Sequence, residues 1–214
     1  MGVGTIRLGG ALGVVSGLAV LPGLFAGSPE IPDENGEVRE YVDSGIAHLE
    51  LLGGAGLLRL VTGLAFLGVL VAVLRSAAGP TGAVYAALSG GLLYLTLASA
   101  GIGAEAAVPA AIVQFDDLSI ARVAEPMLGL ALWLYNFAQA GAAVLMVAVG
   151  YVVWRTGVLP KAAAALAVLA VPTVLSPVIG LPAAYAAVAW FVLTGLALLV
   201  LPPVVTVART PAAP

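Results

Sequence analysis

Arg59 is the residue whose type and setting most suggest chemistry. It stands in Gly56-Leu-Leu-Arg59-Leu-Val-Thr62, a permanent cation inside an otherwise apolar run. A charge at mid-bilayer is costly and marks function unless something nearby explains it. If the inner boundary lies near Arg75, sixteen residues at about 1.5 Å each put Arg59 roughly 24 Å up, just below the opposite surface. Two readings stay open there. Arg59 is an anchor, snorkelling to the surface or paired with Glu50, Glu105 or Glu125, or it belongs to a site.

Asn136 and Gln139 are three apart and share a helix face at a comparable depth. Tyr135 is adjacent, and Tyr94 and Thr96 are polar positions on another apolar segment. Lipid cannot satisfy such groups, so they should point into a bundle. The functional reading is a polar pocket lined by Arg59, Glu105, Asn136, Gln139 and Tyr94. The plainer one is hydrogen bonding between helices, worth roughly 0.6–2 kcal/mol per contact.

Other chemistries find little support. His48 has Asp43 and Glu50 close in sequence, but a five-residue spacing fits one helical face poorly, so no metal site is expected. Asp33-Glu-Asn-Gly36-Glu37 lacks the ligand spacing and terminal Glu of a calcium loop. There is no cysteine, which excludes disulfides, thiolate catalysis and iron–sulfur clusters. Ser176 has no histidine at membrane depth, and nucleophile-elbow, zincin and phosphate-loop patterns are missing. The sequence supports neither an enzyme nor a cofactor. A net charge of −3 without a basic run argues against nucleic acid.

The elements that must position these residues follow from composition. Of 214 residues, 62% are hydrophobic and 9% charged, with a mean hydropathy of +1.13. Soluble domains carry about a quarter charged residues. The surplus apolar surface must face lipid, so the expected fold is all-α, an integral membrane bundle. A hydrocarbon core about 30 Å thick needs roughly 20 helical residues. Six segments qualify, at about 7–26, 52–74, 82–104, 127–153, 162–180 and 184–205, in a single transmembrane domain. The first also has features of a signal peptide, with Leu24-Phe25-Ala26-Gly27-Ser28 near a cleavage point, although its apolar run is long for one.

With these spans, Arg7, Arg75, Arg155, Lys161 and Arg209 fall on one side, five of the eight basic residues. All eleven acids fall on the other. Basic residues are retained in the cytoplasm, which predicts a cell (inner) membrane protein with both termini inside. Tyr85, Tyr151 and Trp154 fit the inner boundary, and Phe25, Phe115, Trp133 and Tyr185 the outer one.

Two outer loops are expected, 27–51 and 105–126. In the first, Ser28-Pro29-Glu30 reads as a cap, Asn35-Gly36 as a turn and Asp43-Ser44 as a cap for the next helix. In the second, Ile112, Phe115, Leu118 and Val123 suggest a short surface helix. Gly9, Gly13 and Gly17 form a face for close helix approach, within the bundle or between copies of the chain. Pro172, Ser176, Pro177, Gly180 and Pro182 should distort the fifth span. Arg75 to Pro80 and Arg155 to Pro160 share the spacing R-x4-P, which signals either a duplication or common turn chemistry.

The stretch from Tyr135-Asn136-Phe137 to Trp154-Arg155-Thr-Gly157-Val-Leu159-Pro160-Lys161 resembles small polytopic membrane proteins of unknown function, common in actinobacteria and related bacteria. Their inner loop often reads W-R-x-G-x-L-P-[KR]. The resemblance covers about an eighth of the chain and implies a bacterial inner membrane, with no activity. The expected function is a non-enzymatic one, binding a small molecule, lipid or protein partner from the acidic outer side. The rival is a small permease or channel using the polar cluster, and a third reading is a lipid-modifying enzyme using Glu105, Asp116 and Asp117.

Overall fold

In the computed structural model, which describes residues 1–26, 38–115 and 117–203, the described residues are helical with no strand. The helices are α1 (Val3–Leu18), α2 (Leu21–Ala26), α3 (Val38–Ala78), α4 (Gly82–Phe115), α5 (Ala124–Thr156), α6 (Lys161–Ala165), α7 (Ala170–Val174), α8 (Ser176–Ile179) and α9 (Leu181–Val200). Five segments are long and apolar enough to cross a membrane: Val3–Phe25, Gly53–Ala78, Gly82–Phe115, Ala124–Thr156 and Leu181–Val200. Large apolar side chains such as Phe25, Leu57, Trp133, Phe137 and Val178 stand exposed, a surface far beyond what water tolerates.

The helices close into a ring. α1 packs on α3, α3 on α4, α4 on α5, α5 on α6–α7, α7 on α9, and α9 returns to α1. Glycines allow these contacts. A Cβ at Gly10 would lie 2.6 Å from the Gly195 carbonyl, and one at Gly195 2.7 Å from that of Gly10. The glycine face of α1 is filled from within the chain: Gly9 abuts Val69, Gly13 the Phe66 ring, and Gly17 Val192 of α9. Of the two uses expected of that face, the packing within the bundle is the one these contacts make. Enclosed this way, α1 is an integral member of the bundle, whose core also holds Ile6 with no exposure.

Several boundaries differ from expectation. The first span breaks at Ala19–Val20 because Pro22 lacks the N–H that would continue the helix. α3 begins at Val38, so Asp43-Ser44 lies inside a helix and not at its start. Ser28-Pro29-Glu30 and Asn35-Gly36 lie outside the described residues. α4 runs on through its alanine-rich stretch to Phe115, with Pro109 inside it and Gly45 of α3 packed against that proline. Of the expected surface helix only a 3-10 turn remains, Leu118–Val123. Asp117 initiates it: its Oδ1 accepts from the Ser119 N–H at 2.9 Å. Hydrogen bonds from the Ser119 side chain and backbone hold that carboxyl below its ordinary pKa.

The segment 162–180, expected as the fifth span, is broken into short helices. Pro172 removes the hydrogen bond to the turn before it, where residues 166–169 tighten into a 3-10 helix, and Pro177 opens α8. Gly180, at φ 62 and ψ −125, then turns the chain into α9. The pieces nonetheless climb along α5. Ala167 lies where a Cβ on Gly150 would be 2.6 Å away, and Ser176 bonds Asn136, so the segment starts near the C-terminal end of α5 and reaches its N-terminal half. The two R-x4-P turns place their left-handed glycines differently. Gly79 directly precedes Pro80, whereas Gly157 is three residues before Pro160. Similar turn chemistry explains both motifs without a duplication.

Candidate functional site

Several buried polar side chains lie around Arg59, where α1, α3 and α4 meet. Ser16 near the end of α1 donates to the Arg59 carbonyl of α3 at 3.0 Å. Thr62, one turn along, back-bonds to the Leu58 carbonyl at 2.6 Å. The Arg59 side chain turns inward: it is 7% exposed, and its Nη2 donates to the Tyr94 hydroxyl of α4 at 2.6 Å. The guanidinium carbon also lies 5.0 Å from the Tyr94 ring centroid. On α5, Asn136 Oδ1 accepts from Ser176 of α8 at 2.8 Å, one helix turn from the buried Thr173 of α7.

The five residues predicted to line one pocket are thus divided. Arg59 and Tyr94 are joined directly. Glu105, 5% exposed, accepts from the Tyr135 hydroxyl at 2.7 Å. It stands eleven residues beyond Tyr94 on α4, about 16 Å along the axis. Asn136 looks away, to α8. Gln139 is buried and its Oε1 has no hydrogen-bond partner among the described residues. Such an orphaned acceptor is unusual, because desolvation costs roughly 1–3 kcal/mol. Thr96 is exposed on the lipid-type surface, contrary to the inward orientation expected of it.

The anchor reading of Arg59 named Glu50, Glu105 or Glu125 as partner. Glu50 and Glu125 are exposed, and Arg59 shows no ion pair among the described residues. Its charge meets instead a neutral phenol and a π face, which together offset only part of the cost of taking a guanidinium out of water. Of the acids the enzyme reading would use, Glu105 is buried and Asp117 is exposed twelve residues on, and Asp116 lies outside the described residues. The His48 side chain lies outside the described residues.

Sequence reasoning missed the surroundings of Arg59. A crevice of about 170 Å³, counting its open mouth and nowhere wide enough for a water molecule, lies against Arg59 and Tyr94. Ser16 and Gly17 of α1 and Val188 and Phe191 of α9 form its walls, with half-buried Val20 at the side. Ser16 continues the small-residue stripe of Gly9 and Gly13, the one signal that could have pointed to it. Nothing in the apolar run of α9 singles out Val188 or Phe191.

Below this layer the interior is apolar. Phe66, Trp190 and Phe191 stack on one another at centroid distances of 5.4–6.5 Å. Tyr94 joins them at 5.4 Å from Phe191. Leu70, Leu145 and Met146 continue the core with no exposure, and Thr194 is the buried polar exception. What the arrangement can do is hold a polar group against Arg59 in one half of the bundle. No family model, curated protein or solved structure matches this chain.

Proposed function

We propose that this chain is a six-span bacterial inner-membrane protein, both termini cytoplasmic, that binds a small ligand in the polar layer of its outer half without covalent chemistry. The observation that carries the reading is Arg59, a permanent cation buried in an apolar bundle and answered, among the described residues, by a single neutral side-chain hydrogen-bond partner. Intramembrane ionisable groups in that state mark ligand or ion sites. The path of residues 161–179 along α5 supports a sixth crossing, and the placement of Arg7, Arg75, Arg155 and Lys161 along the sequence supports the sidedness. The apolar plug formed by Phe66, Leu70, Met146 and Trp190 favours binding over conduction, since a permeating solute needs polar partners through to the other face.

The test is an unfolding screen in lipid nanodiscs against small carboxylates, phosphates, sugars and amines. At least one class should raise the midpoint of the wild type and leave Arg59→Gln unmoved. Transport of that compound into proteoliposomes would establish a permease instead, and no Arg59-dependent class at all would sink the binding reading. Because the chain has no cysteine, single-cysteine labelling checks sidedness cleanly. An impermeant maleimide should reach Ser119→Cys from outside and not Thr156→Cys; the reverse pattern would invert the topology.

A further inference from the structure

The crevice beside Arg59 defines the kind of ligand more closely than the polar layer does. Its floor is a guanidinium carrying five N–H donors, one of them committed to Tyr94. The Tyr94 hydroxyl accepts that bond and so keeps its own proton to donate. Its walls include three apolar side chains, Val20 from the turn after α1 and Val188 and Phe191 from α9. Ser16 is already turned to the Arg59 carbonyl and adds no competing charge. A forked cation recognises a two-oxygen anion, a carboxylate or phosphate, by parallel hydrogen bonds. Aliphatic walls recognise a hydrocarbon tail.

Building on the binding reading, we infer that the site takes an amphiphilic oxyanion, its carboxylate or phosphate on Arg59 and Tyr94 and its chain against Val20, Val188 and Phe191. The crevice is too narrow for water as it stands, so binding must part α1 from α9. The chain break at Ala19–Val20, where α1 gives way to the six-residue α2, lies against the crevice that Val20 lines and leaves that end of α1 free of a continuous helix. Below, the Gly10–Gly195 backbone contact holds the two helices together. Entry is therefore confined to the outer end. A fatty carboxylate in solution and an anionic lipid headgroup share this chemistry.

The test uses the full chain with Trp133 and Trp154 changed to Phe, in phosphatidylcholine nanodiscs. Trp190 then reports alone, its ring 5.4 Å from that of Phe191 on the crevice wall. Octanoate should shift Trp190 emission and raise the unfolding midpoint saturably, whereas octanol should do neither. Arg59→Gln should weaken octanoate by at least about tenfold, Tyr94→Phe by less, and Arg59→Lys should restore part of the loss. A response already present in phosphatidylglycerol discs, which octanoate no longer enlarges, assigns the site to the lipid headgroup. A response confined to added octanoate assigns it to a free amphiphile. The inference is overturned if octanol matches octanoate, if inorganic phosphate without a tail matches it, if no anion acts, or if a folded Arg59→Gln responds like the wild type. An Arg59-dependent response to a neutral ligand would remove the oxyanion and leave the binding reading standing. Octanoate and octanol on the wild type decide the matter even if Arg59→Gln fails to fold.

Discussion

Arg59→Met is expected to unfold later than the wild type, by about 2 kcal/mol, while losing ligand binding. The guanidinium is almost wholly buried and shows no carboxylate partner among the described residues. Replacing buried ions by apolar side chains of similar volume is often neutral or stabilising by roughly 1–4 kcal/mol. Against this stand one hydrogen bond to Tyr94 and a cation–π contact, the latter worth about 0.5–2 kcal/mol. Methionine is flexible enough to fill the vacated space beside Phe191. It leaves the Tyr94 hydroxyl without its donor, so Arg59→Met with Tyr94→Phe should gain more than Arg59→Met alone. Denaturant unfolding in nanodiscs gives the comparison. A structural anchor predicts the opposite sign, a loss of stability, and that result would end the account of Arg59 as a residue kept for function at the expense of stability.

Gly141→Leu should be the most damaging single change in the bundle, costing about 3 kcal/mol or more. A Cβ at Gly141 would lie 2.7 Å from the Tyr94 backbone nitrogen and 2.8 Å from the Gly90 carbonyl. The reciprocal Cβ at Gly90 would lie 2.7 Å from the Leu145 nitrogen. These are backbone atoms, so no rotamer change relieves them, and α4 and α5 must move apart. Overpacking generally costs about 1–3 kcal/mol, and a contact with fixed backbone belongs at the upper end. Gly141→Ala should fall within that range. Gly68→Ala and Gly103→Ala meet open space and should instead stabilise, by up to about 1 kcal/mol from helix propensity. Because Gly141 sits against the Tyr94 backbone, its variants should also displace the Tyr94 hydroxyl from Arg59 and weaken ligand binding. Thermal unfolding of the four variants, run side by side, checks the ordering. Equal losses at Gly68 and Gly141 would show that the close contact is not what matters.

These expectations draw on two different sources. The existence of long apolar helices, their order and most of their ends were legible along the chain. Length and apolar content are local properties, and Pro and Gly punctuate them: Gly79-Pro80, Gly157 to Pro160 and Gly180 all end or turn helices where the sequence indicates. The breaks within residues 162–180 were legible too, since Pro172 and Pro177 act on the hydrogen bonds of their own turn. The extension of α3 and α4 into the supposed loops was not. Charged residues such as Asp43 and Glu105 ended the hydropathic signal, whereas the helix itself continued.

The composition of the site divides in the same way. Arg59, Tyr94, Glu105, Asn136 and Gln139 could be singled out because polar groups in apolar helices are conspicuous. Their partners could not. Pairing depends on how each helix is rotated and how far it slides past its neighbour, and these helices are apolar all round, so no periodicity marks the inward face. Only close contacts between distant segments decide it: Gly10 on Gly195, Gly90 on Gly141, Gly101 against the Tyr135 ring. Among the described residues, those contacts set Arg59 on Tyr94 rather than on a carboxylate, sent Asn136 to Ser176 and left the Gln139 oxygen without a hydrogen bond. The sequence by itself determined that a cation would lie among apolar helices. The tertiary structure decided that it would lie there without a counter-ion from the described residues, beside a crevice, because the glycines bring the backbones together at one set of offsets and no other.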